Sequence, residues 1–384
     1  MINQTIIFSG FCLLLFIYLS LIVFFVIGFY LLKNFNPVIN KSLNVFASII
    51  IPARNESNNI RQCIESICNQ NHSSESFEII IVDDASIDDT KFQVESLIRE
   101  YHNFNFKLIS LPFNEHQGKK NAIEQGILAS IGELIITLDA DCLVGKQWLS
   151  HIVSYYREKQ PKMIVLPVNI EANHSFFSNI QSLEFMGLIA SSAGSLGCNL
   201  PLMCNGANLA YPREAFELSG SYSSNQKIAS GDDMFLMFGI QKKFGKASVH
   251  FLKNLEVIAR TQASPTLKSL INQRLRWTSK SKAYTNPWVI FVALIVFISN
   301  LVIILSWVFP FINLITLNEA IFLLSFKASF DFILLFTFAR YYKQKKTLWF
   351  YLPGVFLIPV YTFLIAIFGN IIPSKWKGRR VSAL

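Results

Sequence analysis

The chain has 384 residues, 52% hydrophobic and 15% charged, with a formal net charge of +9. Its mean hydropathy of +0.39 excludes a disordered chain and argues against an ordinary soluble enzyme. The surplus charge does not make a nucleic-acid face either: nine basic and two acidic groups lie beyond residue 286, which with Lys33 leaves 24 basic against 23 acidic between residues 34 and 286.

Ile6 to Leu32 is a run of 27 residues without a charge. That exceeds the roughly 20 residues needed to cross a bilayer. A cleaved leader would carry a basic start, a shorter apolar run and an A-x-A site, and none is present. Residues 1–33 are therefore expected to form an amino-terminal transmembrane helix.

Residues 34–286 alternate strand and helix patterns. Ala47–Pro52 (ASIIIP) is a short β-branched run, as expected of a strand buried on both faces. Ile60, Cys63, Ile64, Ile67 and Cys68 recur at helical spacing. Glu78–Val82 reads as a second strand, ending at Asp83-Asp84, and Phe106–Leu111 as a third. Gly118–Ile131 reads as a helix. Glu133–Leu138 is a fourth strand, ending at Asp139-Ala140-Asp141, and Met163–Val168 a fifth. This alternation predicts an α/β domain with a doubly wound, mostly parallel sheet, whose ligands bind beyond the carboxyl ends of the strands. No G-x-G-x-x-G follows a strand. Gly118-Lys119-Lys120 lacks the flanking residues of a P-loop.

Two carboxylates one residue apart at a strand end, Asp139 and Asp141, suit a hard cation such as Mg²⁺ or Mn²⁺ that shares substrate phosphates. A solvated acidic turn is the bland alternative. Gly231-Asp232-Asp233 precedes the apolar run Met234–Ile240. One acid there could cap a helix and another could act as a general base. In Gln273-Arg274-Leu275-Arg276-Trp277, an Arg fork suits phosphate and a Trp face suits a sugar ring. A juxtamembrane amphipathic helix would look similar.

Residues 287–384 form a membrane region with about three apolar segments, at about 288–309, 320–341 and 348–371. Lys327 and Asp331 lie inside the second at i, i+4, either as a functional pair or as a self-paired salt bridge. Lys33, Lys41, Lys343, Lys345 and Lys346 place the central region in the cytosol of a multi-pass protein of the cell membrane. A full last crossing would put Lys375, Lys377, Arg379 and Arg380 outside. Pro353, Pro359 and Pro373 allow a re-entrant segment instead. The six cysteines have no paired-ligand spacing and suit a reducing compartment.

Taken in order, ASIIIPARNE (Ala47–Glu56), VDDAS (Val82–Ser86) with Asp88-Asp89-Thr90, GKKNA (Gly118–Ala122), DAD (Asp139–Asp141), NGAN (Asn205–Asn208), GDD (Gly231–Asp233) and the QxxRW stretch Gln273–Trp277 resemble a family 2 glycosyltransferase with the GT-A fold. The last motif and the membrane segments resemble the membrane-integrated members, such as cellulose, chitin and hyaluronan synthases and ceramide glucosyltransferase. The resemblance implies a nucleotide-sugar donor, with uridine as its base, and a lipid or glycan acceptor. It implies that Pro52, Arg54, Glu56, Asp83 or Asp84, and Lys119 bind the donor nucleotide. Asp139 and Asp141 would hold the diphosphate through Mg²⁺ or Mn²⁺. Asp233 would be the base, supported by Asp232. Gly206 would face the acceptor, and Gln273, Arg276 and Trp277 would act on diphosphate and acceptor. Asp232 stands where many members have Glu, and Asn205-Gly206-Ala207 replaces the Phe-Phe-Cys-Gly of cellulose synthases. Two rivals are a polyisoprenyl-phosphate glycosyltransferase of the same fold and a non-catalytic sugar-nucleotide-binding membrane subunit.

Overall fold

The computed structural model describes residues 2–37, 45–113, 118–173, 175–220, 232–369, 371–372, 374–377 and 379–381. Lys41, Gly231 and Pro373, used in the sequence reading, lie outside them. The chain clusters into two compact units. One is Leu32–Glu171 with Asn199–Gln262; the other is Met1–Leu31 with Ala172–Cys198 and Ala263–Leu384. Parts of the stretch 34–286, including helices Phe176–Gly197 and Leu267–Ser279, thus cluster with the apolar helices.

The first unit is an α/β domain. Its strands are β1 (Ala47–Ala53), β2 (Phe77–Asp83), β3 (Asn105–Ser110), β4 (Leu134–Leu138), β5 (Met163–Val165), β6 (Val168–Glu171), β7 (Asn208–Pro212), β8 (Val249–Phe251) and β9 (Ala259–Gln262). Seven form one sheet in the order β3-β2-β1-β4-β7-β5-β8. β1 runs parallel to both β2 and β4, and β2 parallel to β3. Every residue of β2 and β4 is buried, which explains why their sequences are mostly apolar. Helix Ile60–Cys68 covers the domain with Ile60, Cys63, Ile64 and Ile67 buried, the periodicity expected from sequence.

The sheet is mostly parallel, as expected, with β7 antiparallel between β4 and β5. One element differs from expectation. The strand expected over Met163–Val168 is two strands: β5 ends at Val165, and β6 begins at Val168 and pairs with β9 in a second sheet. Pro167 lies at the break and has no N–H for a ladder.

A buried carboxylate ties the amino ends of the sheet together. Glu78 accepts hydrogen bonds from Ser48 Oγ (2.5 Å) and from the Ile131 N–H (2.6 Å), and pairs with Lys107 Nζ at 2.8 Å. Four neighbouring segments are thereby joined at one side chain. Burial pushes the Glu78 carboxyl up, but Lys107, Ser48 and Ile131 together outweigh it and hold it below its ordinary value.

The other unit is helical. Four of its helices are long and apolar enough to cross a membrane: Gln4–Leu31, Pro287–Ile312, Leu317–Tyr341 and Lys345–Phe368. Helices Ile2–Leu31 and Phe176–Gly197 meet backbone to backbone. A side chain at Gly28, Gly194 or Gly197 would collide with main-chain atoms of the facing helix. Lys327 and Asp331 pair with each other at 2.6 Å, and the Tyr18 hydroxyl donates to the same Asp331 carboxylate. The charge pair is therefore satisfied within the helices, as apolar surroundings demand.

A depressed carboxyl contributes stability above its unfolded pKa of about 4.3 and loses it as pH falls through the folded value. Thermal unfolding of the detergent-purified protein should thus show destabilisation below about pH 4 that shrinks in Glu78→Gln. Glu78→Ala, which strands Ser48 and the Ile131 N–H, should cost about 1–3 kcal/mol at neutral pH. An Ala variant as stable as wild type would remove this role.

Candidate active site

The carboxyl ends of β1, β2 and β4 lie on one edge of the sheet, because these strands are mutually parallel. They deliver Pro52 and Arg54, Asp83 and Asp84, and Asp139 to Asp141 to that edge. The loops after β1 and β2 are laced together. The Asn55 N–H donates to Ser86 Oγ (3.0 Å), the Glu56 N–H to Thr90 Oγ1 (2.7 Å) and the Ser57 N–H to Asp88 Oδ2 (3.1 Å). Burial raises the Asp88 carboxyl, but the hydrogen bonds from Thr90 and Ser57 together bring it below its usual range.

Arg54 is the clamp of this pair of loops. It is buried, and its Nη1 donates to the carbonyls of Asp84 (2.5 Å) and Ala85 (2.8 Å). Ala85 has φ 52°, a left-handed conformation costly for a residue with a Cβ. The guanidinium holds that turn in place. Asp83 and Asp84 are both buried. Asp83 Oδ1 accepts from the Ser86 N–H at 3.3 Å, and Asp84 Oδ2 from the Gly118 N–H at 3.2 Å. Gly118 has φ +122° and ψ 166°, a region open essentially to glycine, and it starts helix Lys119–Ala129. At the far end of that helix Arg213 donates to the carbonyls of Ile127 (3.0 Å), Ser130 (2.6 Å) and Gly132 (3.3 Å). Fixed at both ends, the helix presents Lys119 at its first turn.

Lys119 joins the acidic groups. Its Nζ lies 2.5 Å from Asp139 Oδ1 and donates to the Gly206 carbonyl at 3.2 Å. The N–H of Gly206 donates to Asp233 Oδ2 at 2.9 Å. The Asp139 N–H donates to the Ala207 carbonyl at 3.2 Å. Asp139, Lys119, Gly206 and Asp233 thus form one connected chain. Asp233 Oδ1 also accepts from the Met234 N–H at 2.9 Å, in the first turn of helix Asp232–Phe244. Asp141 Oδ2 accepts from Thr261 Oγ1 at 3.2 Å. Beneath the acidic turn lie the buried thiols of Cys63 and Cys142. Burial first, then the Asp141 and Asp139 carboxylates, push both well above the ordinary thiol value, so they are inert there.

A metal fits this donor set in one way. Among the described residues no group of three or more His, Cys, Asp or Glu converges. The turn supplies the carboxylates of Asp139 and Asp141, which suits a hard cation that completes its shell from substrate phosphates.

Sequence reasoning missed Asn208 and Trp148. Asn208 is fully buried; its amide donates to the Pro167 (3.0 Å) and Val257 (2.9 Å) carbonyls and accepts from Trp148 Nε1 (3.1 Å). The last residue of Asn205–Asn208 is therefore a strut. Asn205 Oδ1 receives the Ala207 N–H at 2.9 Å and shapes the turn that carries Gly206.

Gln273, Arg276 and Trp277 lie on helix Leu267–Ser279 of the helical unit, and each is half-buried. Arg274, between them, is the buried one. It donates to Glu184 from Nε (2.9 and 3.0 Å) and Nη2 (2.5 Å), and to Gln273 Oε1 from Nη1 (2.6 Å).

Residues 48–218 match the family Glycosyl transferase family 2, and residues 134–369 match Glycosyl transferase family group 2. The second match covers well over half of the chain, which belongs to the family 2 glycosyltransferases. It is 30% identical to a beta-monoglucosyldiacylglycerol synthase of Nostoc over 140 residues, 36% of this chain and 30% of that one. It is 33% identical to a dolichyl-phosphate beta-glucosyltransferase of Dictyostelium discoideum over 117 residues, 29% and 34% of the two. The chain spans about a third of the length of these curated relatives. Among solved structures, the mannosyltransferase PcManGT of Pyrobaculum calidifontis, in complex with GDP-Man and Mn²⁺, superposes with a TM-score of 0.56. It is 14% identical and covers 93% of this chain and 99% of that one, so the two share a fold. The fold is GT-A, as the motifs in their order along the chain led us to expect.

Gly206 gives a sharp test of the chain of contacts. A Cβ there would sit 3.1 Å from Asp233 Cβ and 3.3 Å from its Oδ2, so Gly206→Ala must push Asp233 by a few tenths of an ångström. We expect turnover to fall about 10- to 100-fold while the melting temperature holds. Turnover unchanged in Gly206→Ala would show that Asp233 need not keep this position.

Proposed function

We propose that this protein is an inverting glycosyltransferase that moves a sugar from a nucleotide-diphospho-sugar, with uridine as the expected base, to a membrane-associated acceptor. The observation that carries this reading is the connected chain Asp139–Lys119–Gly206–Asp233 at the carboxyl edge of the sheet. It puts a cation beside the strand-end carboxylates and a second carboxylate one peptide away.

In this reading Pro52, Arg54, Glu56, Asp83 and Asp84 form the nucleotide pocket, with Arg54 holding its two loops together. Lys119 faces the donor diphosphate. Asp141 and Asp139 are the ligands for Mg²⁺ or Mn²⁺, which when bound supplies charge stabilisation to the leaving diphosphate. Arg276 adds positive charge for the same group. Asp233 takes the proton of the acceptor hydroxyl. The oxygen then forms its bond to the anomeric carbon as the bond to the diphosphate breaks on the opposite face, and the configuration inverts. Each Asp233 oxygen accepts a backbone N–H, which fixes the carboxylate in place. Asp232 supports the turn, Gly206 borders the acceptor, and Gln273 and Trp277 bind it.

The acceptor proposed is a lipid or a glycan at the membrane. A relative named for a diacylglycerol product supports it, as do four helices apolar enough to span. A relative named as a dolichyl-phosphate glucosyltransferase favours a second reading, in which a polyisoprenyl phosphate is the acceptor. Its nucleophile is already anionic and needs less help from a base.

One assay separates these. Purified membranes are given labelled UDP- and GDP-sugars with glycolipid, glycan or polyisoprenyl-phosphate acceptors. Transfer should need a divalent cation and stop in excess EDTA. Asp233→Asn should bind donor normally and lose about 10² to 10⁴ in turnover, with Asp232→Asn milder. Full activity in EDTA would remove the metal role. An Asp233→Asn enzyme as fast as wild type would remove the base and leave the polyisoprenyl-phosphate reading ahead.

We place the α/β domain in the cytosol, because Lys33, Lys343, Lys345 and Lys346 flank the spans. A cysteine engineered at Ser74 should resist impermeant thiol reagents in intact cells and react after lysis. Labelling in intact cells would reverse the orientation.

A further inference from the structure

Arg274 is the most buried charge of the helix that carries Gln273, Arg276 and Trp277, with a side chain 4% exposed. Its guanidinium divides its bonds. Nε and Nη2 grip both oxygens of Glu184, on helix Phe176–Gly197. Nη1 donates to Gln273 Oε1 at 2.6 Å. Its flat face covers the Trp277 ring at 4.2 Å from the centroid, while Phe185 packs 6.0 Å from the same ring.

Each contact fixes a group beyond Arg274 itself. The bond to Oε1 sets the Gln273 amide, because a guanidinium only donates; the amide nitrogen must then turn away from Arg274. The guanidinium contact and Phe185 together set the Trp277 ring. Glu184 fixes the guanidinium, so the orientation of both side chains is anchored in a neighbouring helix. A plain Arg–Glu pair needs none of this division.

We infer that Arg274, held by Glu184, is the positioning residue that presents the Gln273 amide and the Trp277 ring to the substrates of the transfer reaction. The inference rests on the glycosyltransferase reading above. Lysine cannot replace it. An ammonium would still neutralise Glu184, but it lacks both the second fork and the planar face.

The test uses full-length protein in detergent or nanodiscs, with steady-state kinetics for donor and acceptor and a melting curve for each variant. Arg274→Lys should keep the wild-type melting temperature within a few degrees and donor KM within about threefold. Its kcat should fall about 10- to 100-fold, the scale expected of misplaced groups. The double variant Arg274→Met/Glu184→Met replaces the buried pair with apolar groups, an exchange often neutral for stability. It should fold and show the same kcat loss. In Arg274→Ala, added methylguanidinium should restore part of kcat if the variant folds. If that variant unfolds, the Lys and double variants still decide. Wild-type kcat in Arg274→Lys or in the double variant would overturn the inference and leave Arg274 a structural tie. A wild-type protein that transfers no sugar would instead overturn the proposed function, and this inference with it.

Discussion

One residue, Gly206, constrains the whole candidate site. Its carbonyl receives Lys119 and its N–H is given to Asp233. The groups proposed to handle the leaving diphosphate and the acceptor proton therefore share one connector, two successive peptide units joined at the Gly206 Cα. Any side chain at that position would press on Asp233. The surrounding structure keeps the connector still. Asn208 locks the adjoining strand with three buried hydrogen bonds. Arg213 pins the far end of the helix that bears Lys119. Misplacement by under an ångström is enough to cost an enzyme orders of magnitude in rate, so these distant struts bear on turnover.

The sheet was legible because parallel strands buried on both faces are largely apolar. Ala47–Ala53, Phe77–Asp83 and Leu134–Leu138 differ from their predicted limits by a residue or so. The antiparallel β7 was not legible. Its sequence, NLAYP, begins with an asparagine and ends with a proline, and its burial depends on partners 44 to 78 residues away that no periodicity reports. The same blindness hid Asn208 and Trp148. The family resemblance made Asn205–Asn208 look like an acceptor-facing turn, whereas the Asn208 amide is consumed by carbonyls from two other segments. Arg274 escaped for another reason. It sits at a position that the pattern QxxRW leaves open, and only the fold brings Glu184 to it.

Three of the buried charges show different physical solutions. Glu78 is reached by two hydrogen-bond donors and a half-exposed lysine, so the cost of burial falls on a carboxylate that remains well hydrogen-bonded. Lys327 and Asp331 neutralise each other along one helix, with Tyr18 adding a bond from another. That arrangement is what an apolar span requires of any ionised pair. Arg274 is fully matched by Glu184 and still spends one nitrogen on Gln273. Matching alone explains the first two. The third uses its surplus bond to orient another side chain.

Arginine and lysine are also divided by task within the α/β domain. Arg54 and Arg213 each bind several carbonyls in fixed fork geometry and close loops or helix ends. Releasing either would strand several buried acceptors at once, at about 1–3 kcal/mol each. Lys119 is built otherwise. It is a point charge on a flexible stem, and both it and Asp139 keep partial contact with solvent, 24% and 32% exposed. A partly solvated pair of this kind is worth about 0–1 kcal/mol. An arriving diphosphate, with more negative charge than one carboxylate, can therefore draw Lys119 away at little cost. The rigid arginines hold the frame, and the exchangeable contact falls where the donor diphosphate is proposed to bind.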